Sequence, residues 1–151
     1  MAEPKIKLDK IDHICIVVND IRETVERIGS TFETPEIKVI EDTSVAMLGG
    51  KEIGKYRVNA AFVRLSKNLK LEIVQIVGGN SAEQKWLKEH GESVHHIGIE
   101  TEDLEEEAAR WEKTGVKVIQ EDHGRWIYLD TEKILGTIVE LYKPGVQEMF
   151  L

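Results

Sequence analysis

The sequence predicts an α+β fold in which two βαβββ modules form a cupped mixed sheet with helices on its outer face. The first observation is a near-repeat, because residues 13–27 and 96–110 match at a fixed offset of 83. The second is that each copy passes from an apolar, β-branched stretch through an Asp into an amphipathic helix. The third is that three strand-like stretches follow each helix. One helix cannot cover both faces of a four-stranded sheet, so we expect the modules side by side with a concave cleft between them.

The elements of the first module follow from periodicity and turn residues. Residues 11–18 are apolar and β-branched, which predicts a buried strand. Asp20 and Glu23 form a capping box for a helix. Its apolar face is predicted to comprise Ile21, Val25, Ile28 and Phe32. Further strands are predicted at residues 37–40, 57–65 and 69–77, with an irregular, mobile loop over residues 41–55.

The second module repeats this order after a short connecting helix that Ser81 and Gln84 open. Asp103 and Glu106 cap the helix of this module, with Leu104, Ala108 and Trp111 on its buried face. Strands are predicted at residues 94–100, 116–119, 125–129 and 137–142. We therefore expect residues 1–151 to form a single domain, made of module 1 (about 8–78), the connecting helix (80–91) and module 2 (about 93–144).

Composition and charge exclude several classes of protein. A net charge of −8 provides no basic field for nucleic acid. The longest apolar run, residues 14–18, is too short to cross a membrane, and the N-terminal residues lack the apolar segment of a signal peptide. The single cysteine, Cys15, cannot form an internal disulfide, so we expect a packed core thiol in a cytoplasmic protein.

Four polar side chains stand inside apolar strands. His13 and His96 occupy the first strand of each module, and Glu72 and Glu140 the last. Burying a carboxylate in such a strand is costly unless a positive charge meets it, and a shared divalent cation would supply that charge. Two imidazoles and two carboxylates suit a borderline or hard ion such as Zn, Ni, Co, Mn or Mg. A histidine on an apolar strand is more often a hydrogen-bonded core residue, and a strand glutamate more often faces solvent.

The sequence also resembles a known superfamily. The segments Asp12-His13-Ile14, Leu71-Glu72-Ile73, His95-His96-Ile97 and Val139-Glu140-Leu141, in this order, are similar to those of the vicinal oxygen chelate superfamily. The nearest likeness is to the methylmalonyl-CoA epimerase and glyoxalase I-like families. This resemblance implies paired βαβββ modules, usually in a homodimer, that bind one divalent metal ion through His13, Glu72, His96 and Glu140. Some epimerases use a glutamine as the second ligand, and Gln75 is the candidate for that role here. The strand period places Gln75 on the opposite face from Glu72, so Glu72 is preferred.

The resemblance implies a metal-dependent epimerase that acts on an acyl-CoA such as methylmalonyl-CoA through a metal-chelated enolate. Its small-molecule partner would be a CoA thioester, and Glu140 and then Glu72 are the candidate catalytic bases. The alternatives are a glyoxalase I-type lyase and a non-catalytic small-molecule binding protein. The third strand lacks the further carboxylate of some epimerases. His123, Glu41 and Glu52 are loop candidates for that role, although each is more typical of a surface residue.

Arg125 and Trp126 are the candidate substrate-binding residues. They follow the predicted turn at His123-Gly124. An arginine there would meet CoA phosphates or a carboxylate, and a tryptophan would line the pocket.

Overall fold

The computed structural model describes residues 5–147, and these residues form the predicted α+β fold with eight strands and four helices. The first half contains β1 (Ile11–Val17), α1 (Ile21–Thr31), β2 (Ile40–Leu48), β3 (Lys51–Ser66) and β4 (Leu69–Gly79). The connecting helix α2 (Ala82–His90) follows. The second half contains β5 (Ser93–Glu100), α3 (Leu104–Glu112), β6 (Val118–Asp122), β7 (Trp126–Leu129), α4 (Glu132–Leu135) and β8 (Ile138–Tyr142).

The eight strands form one curved sheet that closes on itself in the order β1-β4-β3-β2-β6-β7-β8-β5. The halves are arranged alike, because β1 pairs in parallel with β4, and β5 in parallel with β8. The halves join where β1 pairs with β5 and β2 with β6, both antiparallel. The four strands β4, β1, β5 and β8 are therefore consecutive neighbours across the first junction.

The helices α1 and α3 pack on the outer face of this sheet, as predicted, whereas α2 packs against Tyr128 and Ile138 on the inner side. Asp20 and Asp103 cap α1 and α3 by accepting hydrogen bonds from the first-turn N–H groups, and Ser81 caps α2 in the same way. On the outer face of β4 and β8, Ile73 and Val139 pack under α1 and α3. The alternate residues of these strands point inward, so the period of two decides which side chains enter the cup.

Two predictions about the first half are wrong. Residues 37–40 do not form a separate strand, and residues 41–55 are not an irregular loop. Instead β2 and β3 form a long hairpin whose register runs from Ile40 opposite Ala60 to Leu48 opposite Lys51. Gly49 and Gly50 make its turn, at φ of 60° and 79°. The hairpin is half exposed, so its polar residues concealed the strand pattern.

The helix face also differs at one end. Ile21 is buried, and Val25 and Ile28 pack against the core, but Phe32 lies beyond the last turn of α1 and is 63% exposed. The short helix α4 lies between β7 and β8, in a segment for which the sequence pattern predicts no helix. Among residues 5–147, no helix is long and apolar enough to cross a membrane.

Candidate metal and acid–base site

The strand register brings two histidines and two glutamates to one point inside the cup. The strands β4, β1, β5 and β8 carry, in that order, Glu72, His13, His96 and Glu140. Glu72 lies opposite Cys15 in the parallel pair of the first half, and Glu140 opposite Gly98 in that of the second. Cys15 and Gly98 are equivalent positions of the repeat, so the two carboxylates come from matching places.

Each imidazole lies close to the other imidazole and to both carboxylates. The Nε2 atoms of His13 and His96 are 3.3 Å apart. Glu140 reaches both rings, with Oε1 3.1 Å from His13 Nε2 and Oε2 3.4 Å from His96 Nε2. Glu72 Oε1 is 3.1 Å from His96 Nε2 and 3.7 Å from His13 Nε2. The structure therefore brings together the four residues that the sequence pattern selects as candidate ligands.

Each imidazole is held through its other nitrogen, which leaves Nε2 facing the carboxylates. His13 Nδ1 is 2.7 Å from Asp12 Oδ1, and Tyr142 donates its hydroxyl to the other oxygen of Asp12. His96 Nδ1 is 2.8 Å from Nδ1 of His95. Such partners fix the orientation of an imidazole that binds a metal ion.

Burial and charge act against each other in this cluster. Burial alone would lower the pKa of His13, but hydrogen bonds to Asp12 and Glu140, with the charges of Glu140 and Glu72, raise that pKa to about 10. For Glu72, burial would raise the pKa, and the close polar contact and charge of His96 together with the charge of His13 lower it. The cluster therefore carries an ionised Glu72 carboxylate beside a protonated His13 imidazole, and a cation that binds here must displace the proton of His13.

Two local features test whether a divalent ion fits these residues. Glu72 Oε1 is buried and makes no hydrogen bond among the described residues, which is costly for a carboxylate oxygen. Gly98 lies opposite His13, and a Cβ at residue 98 would overlap the His13 ring. A donor set of two imidazole nitrogens and two carboxylates, with one oxygen left free, fits a divalent ion.

Cys15 and Gln75 do not alter this set. Cys15 is fully buried, and its thiol lies within ligating distance of Glu72 and His96. Burial, and then the charge of Glu72, raise the pKa of Cys15, so the sulfur stays protonated. Gln75 points away from the cluster and accepts a hydrogen bond from the N–H of Ile21 at 2.9 Å, so it serves as a support for α1.

The cluster opens into a cavity inside the cup. The unoccupied space, including its solvent-filled mouth, is about 510 Å³. Glu72 and Glu140 line the inner end, and the apolar wall comprises Val58, Ala60, Phe62, Val74 and Trp126. Asp42, Glu83 and Gln147 also line the cavity, and such a combination of an apolar wall with a few polar groups is typical of a small-molecule site.

The candidate substrate-binding residues have different surroundings. Trp126 lines the cavity. Arg125 stacks over the Trp126 ring at 4.4 Å and forms an ion pair with Asp42 at 2.8 Å, so its charge is partly compensated. The loop candidates for a further acid–base group, His123, Glu41 and Glu52, are all exposed and do not line the cavity.

The sequence reasoning missed a second group of buried polar residues at the cavity. Glu83 of α2 lines the cavity and is 3% exposed, and Asp122 of β6 is fully buried. The Tyr128 hydroxyl donates to Glu83 Oε1, and the Tyr56 hydroxyl, which has one proton, donates to Asp122 and lies 3.3 Å from Glu83 Oε1. The position of Glu83 in the first turn of α2 is typical of an exposed residue that favours the helix dipole, so the pattern gave no sign of burial.

The family follows from comparison with known proteins. Residues 12–127 match the model of the Glyoxalase/Bleomycin resistance protein/Dioxygenase superfamily. This match covers more than half of the chain, so the chain belongs to that superfamily, in agreement with the resemblance seen in its motifs. A comparison with curated protein sequences gives no significant match.

Solved structures that are similar to this chain include methylmalonyl-CoA epimerases. A variant of methylmalonyl-CoA epimerase from Streptomyces coelicolor, in complex with 2-nitronate-propionyl-CoA, is similar with 25% identity and a TM-score of 0.61, covering 90% of this chain and 94% of that chain. A methylmalonyl-CoA epimerase in complex with methylmalonyl-CoA and ammonium gives the same values. A protein of unassigned function from Bacillus halodurans C-125 shares the fold at 23% identity and a TM-score of 0.61, over 93% of this chain and 98% of that chain.

Proposed function

We propose that this chain is a metal-dependent epimerase that acts on an acyl-CoA such as methylmalonyl-CoA. The observation that carries the proposal is the convergence of two imidazole nitrogens and two carboxylates at the polar end of an apolar cavity. The likeness to epimerases with bound acyl-CoA compounds supports the choice of substrate class.

The residues that would hold the metal ion are His13, Glu72, His96 and Glu140. A divalent ion held by them acts as a Lewis acid that favours negative charge on a substrate oxygen. The donor set accepts Co, Mn, Ni, Zn or Mg, and elemental analysis of the purified protein identifies which ion it holds. Family likeness also supports a homodimer, and light scattering of the purified protein measures its mass in solution.

Glu140 is the best placed proton acceptor. Its carboxylate is 6% exposed, lines the cavity and has few water molecules to compete for it. A carboxylate freed from bulk solvent is a stronger base toward a carbon acid. Glu72 stands beside it with Oε1 free of hydrogen bonds and is the second candidate.

The test is exchange of the substrate α-proton in deuterated water. Metal-loaded protein is incubated with one epimer of methylmalonyl-CoA, and the two epimers are separated and examined for deuterium. We expect the other epimer to form and to carry deuterium at the α-carbon. Absence of both epimerisation and exchange, with turnover of the methylglyoxal–glutathione adduct in a parallel assay, would replace this proposal by the lyase.

A variant tests the ligand set independently of the reaction. Glu140→Ala removes one of the four donors, so we expect its metal content to fall. Exposed Glu89→Gln on α2 is the control, because Glu89 lies outside the cavity. If the metal content of Glu140→Ala equals that of the control, the ligand set is wrong.

A further inference from the structure

The second buried carboxylate at the cavity, Glu83, has one oxygen that accepts no well-directed hydrogen bond from the described residues. Glu83 Oε1 accepts a hydrogen bond from Tyr128 and lies 3.3 Å from the Tyr56 hydroxyl oxygen. Glu83 Oε2 is buried and has no hydrogen-bond partner among residues 5–147. Glu83 lines the same cavity as Glu72 and Glu140. A buried carboxylate oxygen without a hydrogen bond costs about 1–3 kcal/mol of stability. A network with only a structural role would be expected to pair this oxygen.

The Tyr56 hydroxyl lies between Glu83 and Asp122, and both carboxylate oxygens of Asp122 accept hydrogen bonds. Asp122 accepts from Tyr56, from Gln120 Nε2 at 3.0 and 2.8 Å, and from Ser44 Oγ at 3.2 Å. No cation among the described residues pairs with either carboxylate, since the nearby Arg125 pairs with Asp42. The Tyr56 hydroxyl therefore joins two buried acids that have no counter-ion.

Two buried carboxylates without a counter-ion hold a proton at neutral pH. Burial, and then the charge of Asp122, raise the pKa of Glu83 to about 8. The pKa of Asp122 is also raised, by burial first. Glu83 is thus a neutral acid near pH 7.

We propose that Glu83 is a second acid–base group of the cavity, acting on the same substrate carbon as Glu140, and that Asp122 positions its proton. This inference rests on the proposed epimerase function. It assigns the role for which the third strand provides no carboxylate.

With an acyl-CoA substrate, epimerisation takes two proton transfers. Glu140 accepts the α-proton, and the electron pair of the broken C–H bond moves into the thioester carbonyl. The Glu83 O–H bond then breaks, its proton bonds to the α-carbon on the other face, and the carbonyl re-forms. Glu140 is left protonated and Glu83 ionised, which is the state required for the opposite epimer, and exchange with solvent restores the first state.

The variant Glu83→Gln separates the two acid–base groups. The amide can still accept the tyrosine hydrogen bonds at its oxygen but cannot donate a proton to carbon. We expect epimerisation to fall at least about 100-fold, as for loss of a general acid. We expect Glu140 still to exchange the α-proton with deuterated water, so that the recovered starting epimer carries deuterium with its configuration retained. Glu89→Gln on the same helix should match the wild type in both measurements.

A direct measurement detects the proton on Glu83. Infrared spectra of metal-loaded wild-type protein at pH 7 should contain a carboxylic-acid C=O band that Glu83→Gln lacks and Glu89→Gln retains. Circular dichroism and metal content of the three proteins establish that they are equally folded and loaded.

The outcomes distinguish this inference from the function on which it rests. If the wild type neither epimerises nor exchanges the α-proton, the proposed function fails. If the wild type does both and Glu83→Gln epimerises at the same rate, only the role of Glu83 is overturned. Loss of exchange together with epimerisation in folded, metal-loaded Glu83→Gln also overturns it, because Glu140 would then not act separately.

The variant Asp122→Asn tests the positioning role. The titratable groups around Glu83 are Tyr56 on β3, Asp122 on β6, Tyr128 on β7 and, beyond Tyr128, His95 on β5. Removing the charge of Asp122 lowers the pKa of Glu83, so the rate of epimerisation should decline at a lower pH than in the wild type. An unchanged pH profile overturns the coupling between the two acids.

Discussion

Replacing Gly98 by alanine tests how the His13 ring reaches its position. A Cβ at residue 98 would lie within 3.0 Å of Cε1, Nε2 and Nδ1 of His13, a separation that real Cβ atoms essentially never show. The ring would have to retreat on the order of 1 Å to reach ordinary van der Waals contact. Metal–ligand distances tolerate only about 0.2 Å. We therefore expect Gly98→Ala to weaken metal binding by about 10- to 100-fold.

Calorimetric titration with a divalent ion measures this affinity, and thermal unfolding with and without the ion measures its effect on stability. Overpacking should also cost the metal-free protein about 1–3 kcal/mol. Gly29→Ala in α1 is the matched control, since a Cβ there meets nothing within 4 Å. Wild-type affinity in folded Gly98→Ala would show that the position of the His13 ring does not depend on the missing Cβ.

Three further substitutions test separate parts of the structure. Gln75→Ala leaves the N–H of Ile21 unpaired, so unfolding experiments should show a loss of about 1 kcal/mol with unchanged metal content; a loss of metal would make Gln75 a ligand. Arg125→Ala leaves the Asp42 carboxylate uncompensated beside an anionic substrate, so KM for the acyl-CoA should rise with little change in kcat, and Arg125→Lys should restore it in part. The pKa of Glu83 is about 8 in the folded protein, above its ordinary value of 4.5, so the folded protein binds this proton more tightly than the unfolded chain does. The proton therefore stabilises the fold fully below pH 4.5, and this stabilisation is lost as the pH rises through about 8. Denaturant titrations should show that the free energy of unfolding of the wild type falls by about 1.4 kcal/mol per pH unit in this window, relative to that of Glu83→Gln. If the free energies of unfolding of the two proteins change with pH in parallel, the raised pKa is refuted.

The four clustered residues could be predicted because the repeat and the strand period carry the necessary information. A polar residue inside a β-branched run is conspicuous, and two copies in matching places restrict where the side chains can meet. The period of two also separates Glu72 from Gln75, three residues apart on the same strand. The N-caps at Asp20 and Asp103 are local signals of the same kind, and the structure confirms both.

The missed features depend on long-range contacts. β2 and β3 stabilise each other as a hairpin, so neither needs the apolar run by which a buried strand is recognised in isolation. Glu83 lies in a helical first turn, where an acidic residue is favoured by the helix dipole alone. Its burial depends on Tyr56 and Tyr128, which come from distant strands, and no local pattern joins these three residues.

The two copies of the repeat diverge at the centre of the cluster. Residue 15 is Cys and its equivalent, residue 98, is Gly, so His96 lies opposite a side chain and His13 opposite none. The two imidazoles therefore approach the carboxylates in different ways, although their strands are equivalent. Glu83 increases this asymmetry, because it belongs to α2, which lies outside the repeat. A site with exact twofold symmetry would offer both faces of a planar carbon the same groups. Here the repeat supplies the proposed ligands, and the connecting helix supplies a proton donor that has no counterpart in the other half.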